Sequence, residues 1–335
     1  MVPPPLTDAA RAASAAAGLQ DIDPAALDLA ALRLPPDANK GTRGSVGVLG
    51  GAPGMVGAAW LAGRAALHGG AGRVYVGQID PMAPAVDALY PELMLWPADT
   101  LLAGWSAAGA PDGSPDSDRL PLTALVAGPG MGASPQAAGL LAQAMAAPVP
   151  LLLDADALNL LARRADLVDR LRSRTTGHAS ADAARSACVI FTPHPGEAAR
   201  LLHQSLEEVQ ADRPAAARAL AERYRAVVVL KGAGTLVAWP SASRAAGDAG
   251  AAAVRLVRNP TGNNRLATAG TGDVLAGLIG ALLARGLDAP TAAQLGVWVH
   301  GRAGEQLSDE RPTASGVLPA LAGVLSGVLM HGRSR

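Results

Sequence analysis

Aromatic side chains make up only 3% of a 335-residue chain that is half hydrophobic, so its core has to be assembled mainly from Ala, Leu and Val. A single cysteine, Cys188, excludes an internal disulfide and a cysteine-based zinc centre. Within Ala187-Cys-Val-Ile-Phe191 it reads as a small core residue. Formal net charge is zero and no long run of either sign occurs, which excludes the electrostatic footprint of a nucleic-acid binder. The start, Met1-Val-Pro-Pro-Pro-Leu-Thr-Asp8, lacks the charged-then-apolar order of a secretory signal. The most hydrophobic tail segment, Gly316 to Met330, is interrupted by Pro319 and falls short of the roughly 20 residues a membrane span needs. It reads as a buried C-terminal helix. The expectation is a soluble, cytoplasmic protein with neither nucleic-acid nor membrane partners.

What the chain does have is turns. Its 39 glycines and 26 prolines follow no period, which fits many loops rather than a fibrous repeat. Apolar strand-like runs alternate with helical stretches: Gly44–Gly50, Val74–Gly77, Leu122–Ala127, Val149–Leu153, Cys188–Phe191 and Val227–Leu230, the last continuing through a hairpin into Leu236–Trp239. Strand, glycine turn, helix, strand is the βαβ unit of a parallel sheet. Residues 1–38, Ala- and Pro-rich with one amphipathic helix around Asp8–Ala17, read as an N-terminal extension to a domain at 39–335. Segments 106–119, 172–186 and 240–252 read as tolerated surface insertions.

Each strand-like run ends in a distinctive turn, and ligands of open parallel sheets bind beyond the carboxyl ends of the strands. Gly50-Gly-Ala-Pro-Gly-Met-Val-Gly57 has neither the Walker A lysine nor the Rossmann spacing, yet it can open backbone N–H groups towards a ligand. Gly128-Pro-Gly-Met-Gly132 is of the same kind. In Asp154-Ala-Asp156 the second carboxylate reads as the helix N-cap, leaving Asp154 free for Mg²⁺ or a transferred phosphate through water. His194, between Pro193 and Pro195, reads as a ligand contact; Glu197 either caps the following helix or holds a metal-bound water. Lys231 follows four apolar residues and emerges at a strand end, where it suits a nucleotide phosphate or is simply solvated. The remaining histidines, His300 among them, lack metal-site spacing. Gly270-Thr-Gly-Asp273 leads into the apolar run Val274–Leu283. Glycines at a helix N-terminus let a phosphate reach free N–H groups, and a carboxylate there can deprotonate a facing hydroxyl. Asp273 is therefore either a helix cap or the base of a phosphoryl transfer to an alcohol.

Taken in order, Gly50–Ala58, Gly128–Gly132, Leu153-Asp-Ala-Asp-Ala-Leu-Asn159, Thr192-Pro-His-Pro-Gly-Glu197, Lys231-Gly-Ala-Gly-Thr235 and Asn259–Asp273 resemble the ADP- or ATP-dependent NAD(P)H-hydrate dehydratases of the ribokinase-like superfamily, over residues 39 to 330. The resemblance implies a three-layer α/β/α sandwich around a mostly parallel sheet. It also implies repair of the hydrates (S)-NADHX and (S)-NADPHX to NADH and NADPH, with Mg²⁺ and ADP or ATP as phosphoryl donor. Carried across, Ala58, Gly130, His194 and Asp273 would contact the hydrate, with Asp273 as the base. Lys231, Gly232, Ala233, Gly234, Thr235 and Gly272 would hold the nucleotide. No metal ligand is assigned directly, Glu197 and Asp154 acting through water at most. A homo-oligomer, tetrameric or larger, goes with the family.

Two departures stand out. Asn263-Asn-Arg-Leu266 replaces the more usual Asn-Pro-Gly-Leu or Asn-Pro-Gly-Met, and only about 38 residues precede the match where some bacterial relatives carry an epimerase domain. The competing expectation is a ribokinase-like kinase of a vitamin-precursor alcohol, of hydroxyethylthiazole or pyridoxal type, using the same Asp273. A third is a nucleotide-binding module without catalysis, which the intact Lys231, Gly272 and Asp273 speak against.

Overall fold

The computed structural model describes residues 19–106, 120–176, 180–241, 254–308 and 312–331. The helix expected around Asp8–Ala17 and most of segments 106–119 and 240–252 lie outside the described residues. Ten strands form one sheet among the described residues: β1 (Gln20–Asp21), β2 (Ser45–Gly50), β3 (Arg73–Gln78), β4 (Leu93–Pro97), β5 (Ala124–Ala127), β6 (Leu151–Leu153), β7 (Val189–Phe191), β8 (Val227–Leu230), β9 (Leu236–Pro240) and β10 (Val254–Arg258). Their order is β1-β10-β9-β8-β7-β6-β5-β2-β3-β4. β9 runs against both neighbours and the other pairings are parallel.

The strands are short and almost wholly apolar, as a sheet covered on both faces requires. Successive residues point to opposite sides. Val46, Val48, Leu152, Ile190, Val227 and Val229 enter one core, whereas Leu49, Leu151, Leu153, Phe191, Val228 and Leu230 enter the other. The first core is closed by α1 (Val56–His68), α10 (Thr271–Ala284), α11 (Ala289–Glu305) and α12 (Ala314–His331). The second is closed by α2 (Ala98–Ser106), α3 (Pro135–Met145), α4 (Ala155–Arg163), α5 (Ala165–Thr175), α7 (Pro195–Leu202), α8 (Leu206–Ala211) and α9 (Arg213–Tyr224). A short α6 (Ala181–Ser186) leads into β7. The result is the expected three-layer α/β/α sandwich.

Three details go beyond the sequence reading. Residues 20–22, counted with the N-terminal extension, pair with β10, and Ile22 and Leu32 are buried in the first core. The described parts of segment 172–186 are largely helical, ending α5 and forming α6, and Arg174 within them is built into the fold. Its guanidinium donates to the carbonyls of Met145 (3.0 Å), Ala147, Val149 and Ser186 (2.7 Å), and burial pulls its pKa down to about 10. Cys188 is half-buried against the first core, and burial pushes its thiol up to about 11, so it is inert at neutral pH. The C-terminal segment is the helix α12, with Pro319 inside it and Val317, Leu318, Leu321 and Leu325 in the core. Among the described residues no helix is long and apolar enough to cross a membrane.

α10 is buried along nearly its whole length, and its depth depends on one contact. A Cβ on Gly277 would stand 1.9 Å from the carbonyl oxygen of Ala62 in α1, so the two helices touch backbone to backbone. Gly277→Ala is expected to destabilise the protein despite alanine's better helix propensity. Overpacking costs typically about 1–3 kcal/mol, against a propensity gain of about 1 kcal/mol. A thermal unfolding midpoint equal to or above wild type would show that the helices separate without cost.

Candidate active site

Strand order reverses between β5 and β2, and the turns after these two strands meet side by side. Gly51 N–H donates to Pro129 O at 3.0 Å and Ala52 N–H to Gly130 O at 2.7 Å. A Cβ on Gly50 would lie 2.0 Å from Pro129 O; one on Gly130 would lie 2.5 Å from Met55 O and 3.1 Å from the Ala58 Cβ. Glycine alone permits this approach. Ala58 and Gly130 therefore share one floor at the switch point, where doubly wound sheets take their ligands.

β6 delivers Asp154, which is 1% exposed. The structure corrects the expected N-cap: Asp154, not Asp156, holds that position of α4, though without a side-chain capping bond, and Asp156 lies in the first turn. Asp156 is occupied by the neighbouring loop, accepting from Gly132 N–H at 2.8 Å. Ala155 between them takes a left-handed conformation, φ 48°. The flanking carboxylates reach different partners, Asp154 the Lys231 ammonium and Asp156 the Gly132 amide.

β7 delivers His194, the N-cap of α7, with Pro195 at the first helical position. His194 Nδ1 accepts from Gly196 N–H at 3.0 Å, and Glu197 Oε2 accepts from His194 N–H at 2.8 Å. This is a capping box, so Glu197 does cap its helix. Its carboxyl is pushed up, by burial foremost. The His194 ring is half exposed, and burial with Lys231 and Arg200 nearby holds its pKa below the ordinary value. With Nδ1 accepting, the ring proton sits on Nε2.

β8 delivers Lys231, whose Nζ donates to Asp154 Oδ1 at 2.8 Å. Burial disfavours the ammonium, but Asp154, Glu197 and Asp273 outweigh it and the pKa is raised. The N-terminus of α10 closes the ring. Gly270, φ 89°, is its N-cap, and Thr271 Oγ1 donates to Leu266 O (2.8 Å) and Thr268 O (2.9 Å). A Cβ on Gly272 would stand 3.2 Å from Lys231 Nζ and 3.9 Å from Asp154 Oδ2. Asp273 is thus in the first turn and not the cap. Burial first and the charge of Asp154 next push its pKa to about 7, against the pull of Lys231. A carboxylate that titrates near neutrality at a helix N-terminus feels the charge of the Lys231 ammonium, an arrangement suited to taking a proton next to a phosphate.

A family model described as NAD(P)H-hydrate dehydratase matches residues 46–324, a span that contains every one of these turns. The chain belongs to the NAD(P)H-hydrate dehydratase family. It is similar to the ADP-dependent (S)-NAD(P)H-hydrate dehydratase of Neisseria meningitidis serogroup B, 39% identical over 285 residues that cover 84% of this chain and 83% of the relative. The bifunctional NAD(P)H-hydrate repair enzyme of Coxiella burnetii is 38% identical over 82% of this chain, which spans about half of that longer relative (48%). Among solved structures, the ADP/ATP-dependent NAD(P)H-hydrate dehydratase of Bacillus subtilis, co-crystallised with ATP and Mg²⁺, superposes with a TM-score of 0.70 at 27% identity, covering 92% of this chain and 99% of that one.

Within this dehydratase family member the fold sets Ala58 against Gly130, pairs Lys231 with Asp154, and brings Gly272 up to Lys231, while the start of α10 packs on α1, the helix that carries Ala58. The altered Asn263-Asn-Arg265 stretch makes a 3₁₀ turn of its own. Asn263 Oδ1 accepts from Arg265 N–H at 3.0 Å, and Arg265 Nη1 donates to Glu305 O at 3.3 Å, at the end of α11. Sequence reading missed α11 as the bed of this loop. Asn259 Nδ2 donates to Val297 O at 3.0 Å, Thr261 Oγ1 to Trp298 O at 3.0 Å, and Glu305 Oε1 accepts from Gly262 N–H at 2.9 Å. The one available signal was the glycine spacing in α11, where Gly301 and Gly304 admit Thr261 and Leu266. Arg213, behind the Lys231–Thr235 turn, was missed as well.

Proposed function

We infer that the chain is an ADP-dependent (S)-NAD(P)H-hydrate dehydratase that returns the hydrates of NADH and NADPH to the reduced cofactors. The observation that carries this is 39% identity to an enzyme of that name across 84% of the chain. The hydrate bears a hydroxyl next to the ring nitrogen, and hydroxide is a poor leaving group. Asp273 takes the hydroxyl proton as that oxygen attacks the terminal phosphorus of ADP, and the bond to the bridging oxygen breaks to release AMP. Lys231 and the N–H groups at Gly272 balance charge on the phosphoryl group in flight. Phosphate then departs as the ring nitrogen pushes electrons into the carbon it leaves, and loss of a proton from the adjacent carbon restores the dihydropyridine. The sum is hydrate plus ADP giving reduced cofactor, AMP and phosphate. Ala58, Gly130 and His194 are proposed to hold the hydrate, and Lys231–Thr235 with Gly272 the nucleotide.

Mg²⁺ prefers hard oxygen ligands and retains several waters, so it would be held mainly by the nucleotide phosphates and would supply charge neutralisation there. Among the described residues no three His, Cys, Asp or Glu side chains gather into a direct metal site. Asp154, with one oxygen on Lys231, and Glu197 fit contact through water. A cytoplasmic location and a homo-oligomer of four or more copies complete the proposal.

The test is one assay. The purified protein, given the S hydrate of NADPH with ADP and Mg²⁺, is expected to restore the ultraviolet absorbance of the dihydropyridine and to form AMP and phosphate in equal amounts. No recovery with ADP or with ATP would sink the dehydratase assignment. A stable phosphate ester formed from hydroxyethylthiazole or pyridoxal would promote the kinase.

A further inference from the structure

Arg213 opens α9 at the foot of the turn that follows β8. Its guanidinium is given over to backbone carbonyls: Nη1 donates to Ala233 O at 2.6 Å, and Nη2 to Leu230 O at 3.2 Å and Lys231 O at 3.3 Å. Nε is buried without a partner among the described residues.

A trans peptide is planar, with its C=O and the following N–H on opposite sides. There are no cis peptides among the described residues. Holding the carbonyls of Lys231 and Ala233 towards Arg213 therefore turns the N–H groups of Gly232 and Gly234 away from it. The same rule is visible one peptide earlier. Leu230 O faces Arg213, while Lys231 N–H faces Pro193 O at 2.8 Å. Drawing the Lys231 and Ala233 carbonyls to one side requires an unusual backbone angle between them, and Gly232 (φ 136°) supplies it, while Gly234 (φ 60°) turns the chain immediately after. A Cβ on Gly232 would also stand 3.1 Å from Arg213 Nη2. The Gly232 carbonyl is itself tied down by Thr235 Oγ1 at 2.9 Å.

We propose that Arg213 is a positioning residue for the phosphoryl donor: by gripping the carbonyls of the Lys231–Thr235 turn it presents the Gly232 and Gly234 N–H groups as a nest for phosphate oxygens beside the Lys231 ammonium. Arg213 itself touches no phosphate. The proposal rests on reading Lys231–Thr235 as the nucleotide turn, and the experiment separates the two.

Full-length Arg213→Leu, Arg213→Lys and Gly234→Val are compared with wild type for kcat, KM of ADP, KM of the hydrate, competitive inhibition by adenosine and unfolding midpoint. A misplaced anion nest in Arg213→Leu is expected to raise KM for ADP about 10–100-fold. Hydrate KM and adenosine inhibition should stay near wild type, because neither depends on the phosphates. Lysine keeps the charge but lacks the planar fork that spans three carbonyls. Arg213→Lys is therefore expected to recover only part of the loss, and it serves alone if the leucine variant does not fold. If ADP, adenosine and hydrate weaken together in step with the unfolding midpoint, Arg213 is merely structural and the proposal is overturned. An unchanged ADP KM in both arginine variants overturns it too, provided Gly234→Val raises that KM. If Gly234→Val also leaves ADP KM unchanged, the nucleotide turn is misassigned and both ideas fail.

Discussion

Asp273→Asn is expected to lower turnover by about 10²–10⁴-fold, the usual worth of a positioned general base, while nucleotide affinity changes little. Asparagine keeps the volume and the hydrogen-bonding capacity of the side chain in the first turn of α10 but accepts no proton. The pH dependence follows from the same group. Its carboxyl titrates at about 7, so kcat/KM of the wild-type enzyme should rise with pH through that value and level off above it. The variant should lack this limb. Stability should move the opposite way. The folded pKa lies above the ordinary 3.8, so between these values the native state binds more protons than the unfolded chain, and stability falls as pH rises. Removing the charge relieves that cost, and Asp273→Asn should unfold at higher temperature than wild type at about pH 8, with the difference closing at about pH 3. Stability would thus rise where function is lost, as active-site strain predicts. Near-normal turnover in the variant would remove Asp273 as the base.

Lys231→Met should have the second large effect, on two separable quantities. Methionine retains the length of the stem and removes the ammonium. Asp154, 1% exposed, then loses the partner 2.8 Å from its oxygen. Leaving a buried charge uncompensated costs about 3–5 kcal/mol. At about 2–4 °C per kcal/mol for a domain somewhat smaller than this, the midpoint should fall by about 10 °C. Catalytic efficiency should fall as well if Lys231 serves the donor phosphates as proposed. Loss of Lys231 also lets the Asp273 carboxyl titrate higher, so any residual activity should need more alkaline conditions. The double variant Asp154→Asn/Lys231→Met separates the two effects, being expected to regain most of the stability and little of the activity. Full recovery of activity there would show that the lysine serves only as counter-ion to Asp154.

The sheet and its turns were legible in the chain because they depend on local rules. Val227–Leu230 and Leu151–Leu153 are continuous apolar runs ended by a charged residue, Lys231 and Asp154, and such runs form two-faced buried strands wherever helices cover both sides. The missed elements lacked that signal. β10 is half-buried, next to the two-residue edge strand, and carries two arginines among its five residues, and α9 and α11 are rich in alanine, with glycine also in α11, so their helical faces have weak apolar contrast. The actual partner of Asp156 was out of reach for a different reason. Capping preference made Asp156 the better N-cap, but the amide of Gly132, which claims it, comes from a loop 24 residues earlier.

By itself, then, the sequence determined the order of strands and glycine turns, the presence of a carboxylate at the start of an apolar helix, and the family resemblance those motifs carry. Tertiary structure decided what the groups are. Asp273 titrates near neutrality only because burial and Asp154 act on it together, and Lys231 keeps its charge only because three carboxylates from other elements surround it. The N–H groups of Gly232 and Gly234 acquire a direction only once Arg213, 20 residues before Ala233 in sequence, grips the preceding carbonyls of Lys231 and Ala233. Such properties depend on distance and desolvation among residues far apart in the chain, and those quantities exist only in the folded molecule.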